Sequence, residues 1–362
     1  MTVIEKLFFE LIQVSLGYSE NLTRNLTEKE WNLMFAIAQK QAVAGIAFVA
    51  LEKLIGYNQK PPTDLLLEWI GLSEQIRARN LQVNQRCKEL EEILVSAGFK
   101  CCVLKGQGTS LYYEKNSIYR QSGDIDVWVR GERDAALEFA KKKGLNIGHV
   151  DIKHSDIEFF EDVPVEIHFM PSWMFSPFKN RRLQKFFTEQ SERQFANKDN
   201  EAGFTHTTIE FDLVFSLVHI YRHVFEEGIG LRQLLDYYHI LLHSDKKQRD
   251  EAYTVLKGLG MSKFVGGIIY VLCECFQLDE EFFICQPNEK HGKFLLSEIL
   301  TSGNFGHYDN RYIRLAKDNR FSNGLITLKR DLHYLCYYPS EVLWMPLWKI
   351  WHWCWRKKKG YL

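Results

Sequence analysis

The first quarter of the chain carries apolar residues at helical spacing. Thr27 and Glu30 have the spacing of a capping box, in which each side chain bonds the other residue's backbone N–H and starts a helix. A longer periodic segment spans residues 64–96 and stops before Gly98, a residue type that commonly ends helices. We therefore predict that residues 1–98 form an N-terminal helical region.

The pattern then changes to the period-two alternation of half-buried strands. One strand places Asp124 and Asp126 together on the face opposite its apolar residues. A second strand, further along the chain, places Glu166 and His168 on its polar face in the same way. Three carboxylates on the open face of one sheet supply the hard oxygen ligands that a pair of Mg²⁺ ions prefers.

The second acidic strand is predicted to form a hairpin with the segment just before it. A three-residue loop would place Glu158 opposite Glu166 and Asp156 opposite His168, whereas a two-residue loop would mix apolar and polar faces. A slip of one residue inverts every side chain, so the first register is preferred. His154 would then lie on the same open face.

Helical periodicity returns in the second half of the chain. Residues 209–225 are amphipathic, and a second helix is predicted over residues 231–243. We therefore predict an α+β fold. Its small mixed-sheet core, residues 99–178, is flanked by the N-terminal helices (residues 1–98) and by a C-terminal helical region, residues 179–362.

Two polar pairs lie one turn apart on these later helices. His219 and His223 have a spacing seen in zinc sites, but no Glu follows the first histidine as a metalloprotease needs. A polar stripe facing the cleft over the sheet is the preferred interpretation. Arg232 and Asp236 fit an intrahelical ion pair, and they also fit a role in holding nucleotide or acceptor. The sequence leaves both interpretations open.

The carboxyl end is rich in tryptophan and ends in a basic run. Trp344, Trp348, Trp351 and Trp355 recur at three- to four-residue spacing, so one helix face would be aromatic, and residues 356–359 are all basic. Packing on the protein's own core is the preferred interpretation. The alternative is an interfacial helix, with indoles at the lipid headgroups and the basic residues on anionic lipid.

The amino-acid composition indicates which binding partners and which cell compartment to expect. Lys and Arg number 46, as do Asp and Glu, so no net charge attracts long nucleic acid. The eight cysteines lack zinc-ligand spacing and indicate buried thiols in a reducing compartment. The first residues lack the features of a signal peptide, and no segment reaches the ~18 apolar residues of a membrane span. We expect a cytoplasmic protein.

Four motifs carry a family resemblance. They occur in the order Leu104–Gly106, Arg120–Asp126, Val165–His168 and Gly230–Asp236. Together they resemble the uncharacterised bacterial nucleotidyltransferases, a group within the DNA polymerase beta superfamily. The likeness extends from the helix of Trp31 through the helical second half. An Asp-x-Asp strand is common by chance, but one placed between a Lys-Gly turn and a third acidic strand is much rarer.

The resemblance implies roles for the acidic residues. Asp124 and Asp126 would ligate Mg²⁺, and Glu166 would be the third carboxylate, which helps to activate the acceptor hydroxyl. Gly106 would form the turn that approaches the triphosphate. One position departs from the superfamily pattern, because Gln107 stands where a serine usually follows the glycine.

Other side chains are expected to contact phosphate. Lys105 ends a buried strand, and Thr109 and Ser110 lie at the predicted start of a helix, whose backbone N–H groups also favour phosphate. Arg120 precedes the aspartates and would reach phosphate or neutralise the acidic cluster. His168 would orient a carboxylate or a phosphate, or simply cap the sheet.

The leading hypothesis is an enzyme that moves an NMP group from an NTP to a hydroxyl or phosphate acceptor and releases pyrophosphate. Two Mg²⁺ ions would bind Asp124, Asp126 and Glu166, with ATP as the default donor. The acceptor is a small molecule, a peptide or a lipid-linked compound. The alternatives are a nucleotide-binding protein without turnover and a protein that interacts with the inner face of the membrane through residues 344–359.

Overall fold

The strands of the protein lie in the middle of the chain. The computed structural model describes residues 1–131, 133–312 and 320–361. The strands are β1 Cys101–Val103, β2 Ile125–Val129, β3 Ile147–Val150, β4 His154–Ile157 and β5 Val165–His168.

Helices come before, between and after the strands. They are α1 Val3–Leu16, α2 Glu28–Lys40, α3 Ala44–Leu54, α4 Thr63–Ser96, α5 Gln107–Ser110, α6 Arg133–Lys142, α7 Pro177–Phe195, α8 Ile209–Glu226, α9 Leu231–Leu242, α10 Lys246–Gly258, α11 Ser262–Phe276, α12 Glu289–Ser302, α13 Arg320–Leu335 and α14 Pro339–Lys359. The capping box predicted at Thr27 and Glu30 starts α2.

The five strands form one mixed sheet in the order β1-β2-β5-β4-β3. The central pair, β2 and β5, is parallel, and every other neighbouring pair is antiparallel. Because parallel strands need a crossover, the chain between β2 and β5 passes through α6, β3 and β4. The predicted α+β class with a small mixed sheet is confirmed.

The β4–β5 hairpin has a different register from the predicted one. Asp156 lies opposite Glu166, and His154 lies opposite His168. The predicted pairing of Glu158 with Glu166 is therefore wrong by two residues. Because an even shift keeps each side chain on its face, His154 and Asp156 still share the polar face with the acidic strand.

The connection between β4 and β5, residues 158–164, is longer than the predicted three-residue loop and contacts the long helix α4. Arg86 of α4 donates to Asp162 of the connection at 3.0 Å, and its guanidinium lies 4.8 Å from the centre of the Phe160 ring. Val163 of the same connection is buried. These contacts favour the longer loop over the three-residue turn that strand alternation alone indicated.

Helices from both ends of the chain share one hydrophobic core. Phe8 and Trp31 near the amino end belong to the same buried cluster as Phe211 and Phe264 in the second half. The division of the chain at residues 98 and 178 stays a prediction.

A second core lies under the apolar face of the sheet. Val127 of β2 packs there with Val83 of α4 and Leu137 of α6. On the other face, the Trp128 ring lies 4.8 Å from Phe195 of α7, measured between centroids. The sheet face that was predicted to be open is therefore packed against α7 around Trp128. The acidic residues lie on the same face, outside this packed area.

The tryptophan-rich helix α14 is divided between two environments. Trp344 and Trp348 pack against the core, and Trp348 stacks on Trp173 at 5.5 Å between ring centroids. Trp351 and Trp353 remain 48% and 54% exposed. Of the helices in the described ranges, none is both long and apolar enough to cross a membrane.

Candidate active site

Three carboxylates converge where β2 and β5 run side by side. Asp126 on β2 lies directly opposite Glu166 on β5, and Asp124 immediately precedes β2. Ligand oxygens of the three residues all lie within 4.8 Å of one another. The parallel register produces this arrangement, because it aligns the two acidic positions on one face.

A half-buried lysine neutralises the central aspartate. The ammonium of Lys105, just after β1, lies 3.0 Å from Asp126 Oδ2. The backbone N–H of Leu104 donates to the Asp126 carbonyl at 2.9 Å, which fixes the end of β1 beside β2. Burial alone would lower the pKa of Lys105, but the nearby carboxylates, led by Asp126, outweigh burial and raise it. The lysine is therefore charged.

His168 lies between two of the carboxylates. Its Nε2 atom is 2.8 Å from Asp126 Oδ1 and 3.2 Å from Glu166 Oε2. Burial would lower the pKa of His168, yet these two hydrogen bonds raise it. Burial would likewise raise the pKa of Asp126, but Lys105 and His168 lower it to about 2. Asp126 is therefore a carboxylate stabilised by the Lys105 ammonium and by a hydrogen bond with His168.

Asp124 is the least compensated acid of the three. The charge of Asp126, followed by burial, raises the pKa of Asp124, and Lys105 only partly opposes this. A divalent cation between the two aspartates would relieve the repulsion. The donors are all carboxylate oxygens, which Mg²⁺ prefers, so the residues fit such an ion.

The residues expected to bind phosphate through α5 are buried in this structure. Ser110 donates its hydroxyl to the Gln107 carbonyl at 2.7 Å, and the Gln107 amide donates to Asn84 of α4 at 2.5 Å. Gln107 therefore points toward α4. Thr109 lines a narrow cleft of about 50 Å³ that also contains Lys105. α5 has four residues, too few for the extended N-terminal dipole that phosphate binding uses.

Arg120 and Asp236 form a buried bidentate ion pair. The guanidinium donates to both carboxylate oxygens, at 2.6 and 2.7 Å, and the Tyr113 hydroxyl donates to Asp236 at 2.8 Å. Asn80 of α4 donates to the Arg120 carbonyl at 2.7 Å. Of the two interpretations left open for Arg232 and Asp236, the intrahelical ion pair is not the one formed, because Asp236 pairs with an arginine outside its helix.

Arg232 faces the narrow cleft instead. It donates to the Gln121 carbonyl at 2.9 Å and lines the cleft together with Lys105, Gly106 and Asp124. Burial, with a smaller contribution from a neighbouring arginine, lowers the pKa of Arg232. A half-buried guanidinium in the same cleft as Asp124 and Asp126 is well placed to receive a negatively charged ligand.

His219 and His223 lie on the walls of the clefts, as the polar-stripe interpretation predicts. Their rings are 4.3 Å apart in an edge-to-face arrangement. Burial lowers the pKa of His219 well below its ordinary value, so that imidazole is neutral.

Two large clefts meet at the carboxylates. One has a volume of about 840 Å³ and the other about 820 Å³, and Asp124 and Glu166 line both. The first is bounded partly by Lys153, Arg330 and Trp348. Lys153 and Arg330 were not singled out in the sequence because they carry no local motif. Trp348 was noted only as part of the tryptophan-rich helix, and both it and Arg330 come from helices far along the chain.

Comparison with known proteins supports the class of site. A family described as an uncharacterised nucleotidyltransferase matches residues 27–277, more than half of the chain. The chain belongs to this family. No curated protein and no solved structure matches it. The nucleotidyltransferase match includes the whole sheet and α8–α9 but ends before α12–α14, so part of the larger cleft lies beyond it.

Proposed function

We propose that the protein is a Mg²⁺-dependent nucleotidyltransferase of the DNA polymerase beta superfamily. It would move an NMP group from an NTP, ATP by default, to a hydroxyl or phosphate acceptor. The observation that carries this proposal is the convergence of Asp124, Asp126 and Glu166 within 4.8 Å on paired strands. Membership of a nucleotidyltransferase family supports the same class of reaction.

The three carboxylates would hold two Mg²⁺ ions. The ions supply charge neutralisation at the α-phosphate, where negative charge develops as the bond to pyrophosphate breaks. The unrelieved repulsion between Asp124 and Asp126 supports this assignment, since the pair gains most from a cation. Glu166 would take the proton of the acceptor hydroxyl while that oxygen bonds to the α-phosphorus.

Two half-buried cations would receive the triphosphate. Lys105 would exchange its contact with Asp126 for one with phosphate once metal neutralises the aspartate. Arg232 lies in the same narrow cleft, beside Gly106 and Thr109, and would add a second contact. His168, which contacts Asp126 and Glu166, would belong to this nucleotide site as well, and Ser110 would join it once its hydroxyl left the Gln107 carbonyl.

The Arg120–Asp236 ion pair would hold the metal-binding aspartates in place. It ties the segment before β2 to α9 through two short hydrogen bonds. Locking that segment keeps Asp124 and Asp126 aimed at the cleft, which pre-organises the metal ligands.

The two large clefts would take the two substrates. Each is large enough for a drug-sized molecule, and the two share only the edge formed by Asp124 and Glu166. A nucleotide on one side and an acceptor on the other would meet at the metals. A sugar phosphate, an aminoglycoside-like molecule, a peptide and a protein hydroxyl all remain candidate acceptors.

Transfer of radiolabelled α-phosphate tests the proposal. The protein is incubated with Mg²⁺, labelled NTP and a panel of such acceptors, and both labelled product and pyrophosphate are measured. We expect an Asp124→Asn, Asp126→Asn double variant to lose about 100-fold or more of the rate. An Asp64→Asn, Asp250→Asn variant, altered at exposed aspartates, is the matched control. Equal rates in all three proteins would contradict the proposal.

A nucleotide-binding role without turnover is the second candidate. The observation that favours it is Gln107, whose side chain bonds Asn84 where the superfamily pattern has a serine near phosphate. Metal-dependent ATP binding with no pyrophosphate release on any acceptor would support this role over catalysis.

We also propose a peripheral contact with a membrane through α14, in a cytoplasmic protein with eight free cysteines. The helix leaves five large apolar side chains exposed: Leu343, Leu347, Ile350, Trp351 and Trp353. The basic residues 356–359 follow them and would meet anionic lipid. Co-sedimentation with anionic vesicles should fall in a Leu347→Gln, Ile350→Gln variant. Leu81→Gln, a change at an exposed leucine of α4, should leave it unchanged.

A further inference from the structure

Two histidines and a carboxylate meet beside the aspartate pair. Glu166 Oε2 lies 3.2 Å from the Nε2 atom of His168 and 3.8 Å from the Nε2 atom of His154. The three ligand atoms all lie within 4.8 Å of one another. The histidines face each other across the β4–β5 pairing, with ring centroids 5.3 Å apart.

These separations suit a single transition-metal ion. Ligands about 2.0–2.1 Å from a tetrahedral Zn²⁺ are separated from one another by about 3.3 Å. The two separations measured at Glu166, 3.2 and 3.8 Å, bracket that value. Imidazole nitrogen favours first-row transition ions, whereas Mg²⁺ prefers the all-oxygen set next to it.

The surroundings of His154 support the assignment. Its Nδ1 atom lies 3.6 Å from Asp151, whose carboxylate also accepts the backbone N–H of Lys153 at 2.6 Å. At 3.6 Å the two atoms are not hydrogen-bonded, but a small shift would give His154 Nδ1 the carboxylate partner that metal-bound histidines usually have. His154 and Glu166 both line the larger cleft, so a fourth coordination position would open toward substrate.

We propose that His154, Glu166 and His168 bind a first-row divalent transition-metal ion beside the Mg²⁺ site, with Glu166 shared between the two. Binding of this ion stands on the geometry alone. Its catalytic role rests on the proposed function: an ion there would face the acceptor and polarise its hydroxyl. On binding this ion, His168 Nε2 would give up its hydrogen bond to Asp126, leaving that carboxylate to Lys105 and the Mg²⁺ site.

Equilibrium dialysis of the full chain against Zn²⁺, with metal quantified by mass spectrometry, tests the site. We expect one tightly bound ion per chain and at least a ~10-fold weaker affinity in His154→Asn. His243→Asn, at an exposed histidine of the α9 end, is the matched control and should bind like the wild type. Equal affinity in the wild type and His154→Asn, or no bound ion, would overturn the inference.

Two further measurements keep the test decisive. If His154→Asn does not fold, an anomalous difference map at the zinc edge from wild-type crystals replaces it. A peak bounded by His154, Glu166 and His168 is expected, and a peak elsewhere or none overturns the site. Asp124→Asn, altered only in the all-oxygen group, should keep the Zn²⁺ and lose nucleotidyl transfer. If Zn²⁺ binds but no transfer is found with any protein, the metal site stands and the proposed enzyme function fails.

Discussion

Lys105 is the internal counter-ion of Asp126. Its ammonium lies 3.0 Å from the carboxylate, and the aspartate side chain is only 2% exposed. A buried charge is tolerated only when it is paired, so the lysine allows the acidic centre to fold without metal. The same lysine must give up that contact if metal and triphosphate bind, which links the stability of the site to its chemistry.

We expect Lys105→Met to lower both the transfer activity and the stability of the metal-free protein. The activity should fall about 100-fold, because a preorganised cation at the phosphates is lost. The thermal midpoint in the absence of metal should fall as well, and Mg²⁺ should raise it more in the variant than in the wild type. Differential scanning calorimetry with and without Mg²⁺ measures this, and Lys100→Met, at an exposed lysine, is the control. An equal Mg²⁺ response in both proteins would argue against the counter-ion role.

The Arg120–Asp236 pair should be strongly coupled. Breaking it with Arg120→Met or Asp236→Asn should destabilise the fold by about 3–5 kcal/mol, because the remaining charge is buried. The double variant should cost less than the sum of the single variants, by about 1–3 kcal/mol. Urea denaturation of the four proteins measures the coupling. Strict additivity would show that the two side chains act independently.

Asp212 should make stability fall as the pH rises. Burial raises its pKa to about 7, and its partners are the hydroxyls of Thr207 and Tyr112. The folded state therefore keeps a proton that the unfolded chain releases near its ordinary pKa. The stability from this group is present at acid pH and is lost as the pH rises through about 7.

Asp212→Asn tests this directly. Relative to the wild type, the variant should gain about 2–3 kcal/mol between about pH 5 and about pH 8. Denaturant titrations at the two pH values measure the difference, with Asp250→Asn at an exposed position as the control. A constant difference between wild type and variant at both pH values would contradict the raised pKa.

Replacing either of two glycines with alanine should change the stability of the fold, in opposite directions at the two positions. A Cβ atom on Gly45 of α3 would overlap the carbonyl oxygen of Tyr119, so Gly45→Ala should destabilise by about 1–3 kcal/mol. Gly71 of α4 has open space around it, so Gly71→Ala should stabilise the helix by about 1 kcal/mol. Thermal unfolding of both variants measures the pair. If Gly71→Ala were destabilising as well, the effect of alanine at residue 71 would not be set by helix propensity.

The alternation of apolar and polar residues along the chain was sufficient to predict on which strand face the acidic residues lie. Strand alternation alone assigned Asp124 and Asp126 to one face and Glu166 to the corresponding face of its own strand. The sheet then joins those strands in parallel, with Asp126 opposite Glu166. This part of the site was predictable because period two is a property of a few consecutive residues.

Contacts between distant segments were not predictable in this way. An ion pair with its neighbour Arg232 was one of two interpretations of Asp236, but Asp236 pairs with Arg120, more than a hundred residues away. The hairpin register failed for a similar reason, since Asp162 is held by Arg86 of α4. No periodicity in either segment encodes these partners, which depend on how the helices pack around the sheet.

The most direct test of the central claim is a crystal structure of the protein with Mn²⁺ and a non-hydrolysable NTP. We expect an anomalous manganese peak coordinated by Asp124 and Asp126, with the triphosphate on that ion and Lys105 turned from Asp126 to phosphate. A nucleotide bound elsewhere, with Lys105 still on Asp126 and no ion between the aspartates, would contradict the claim.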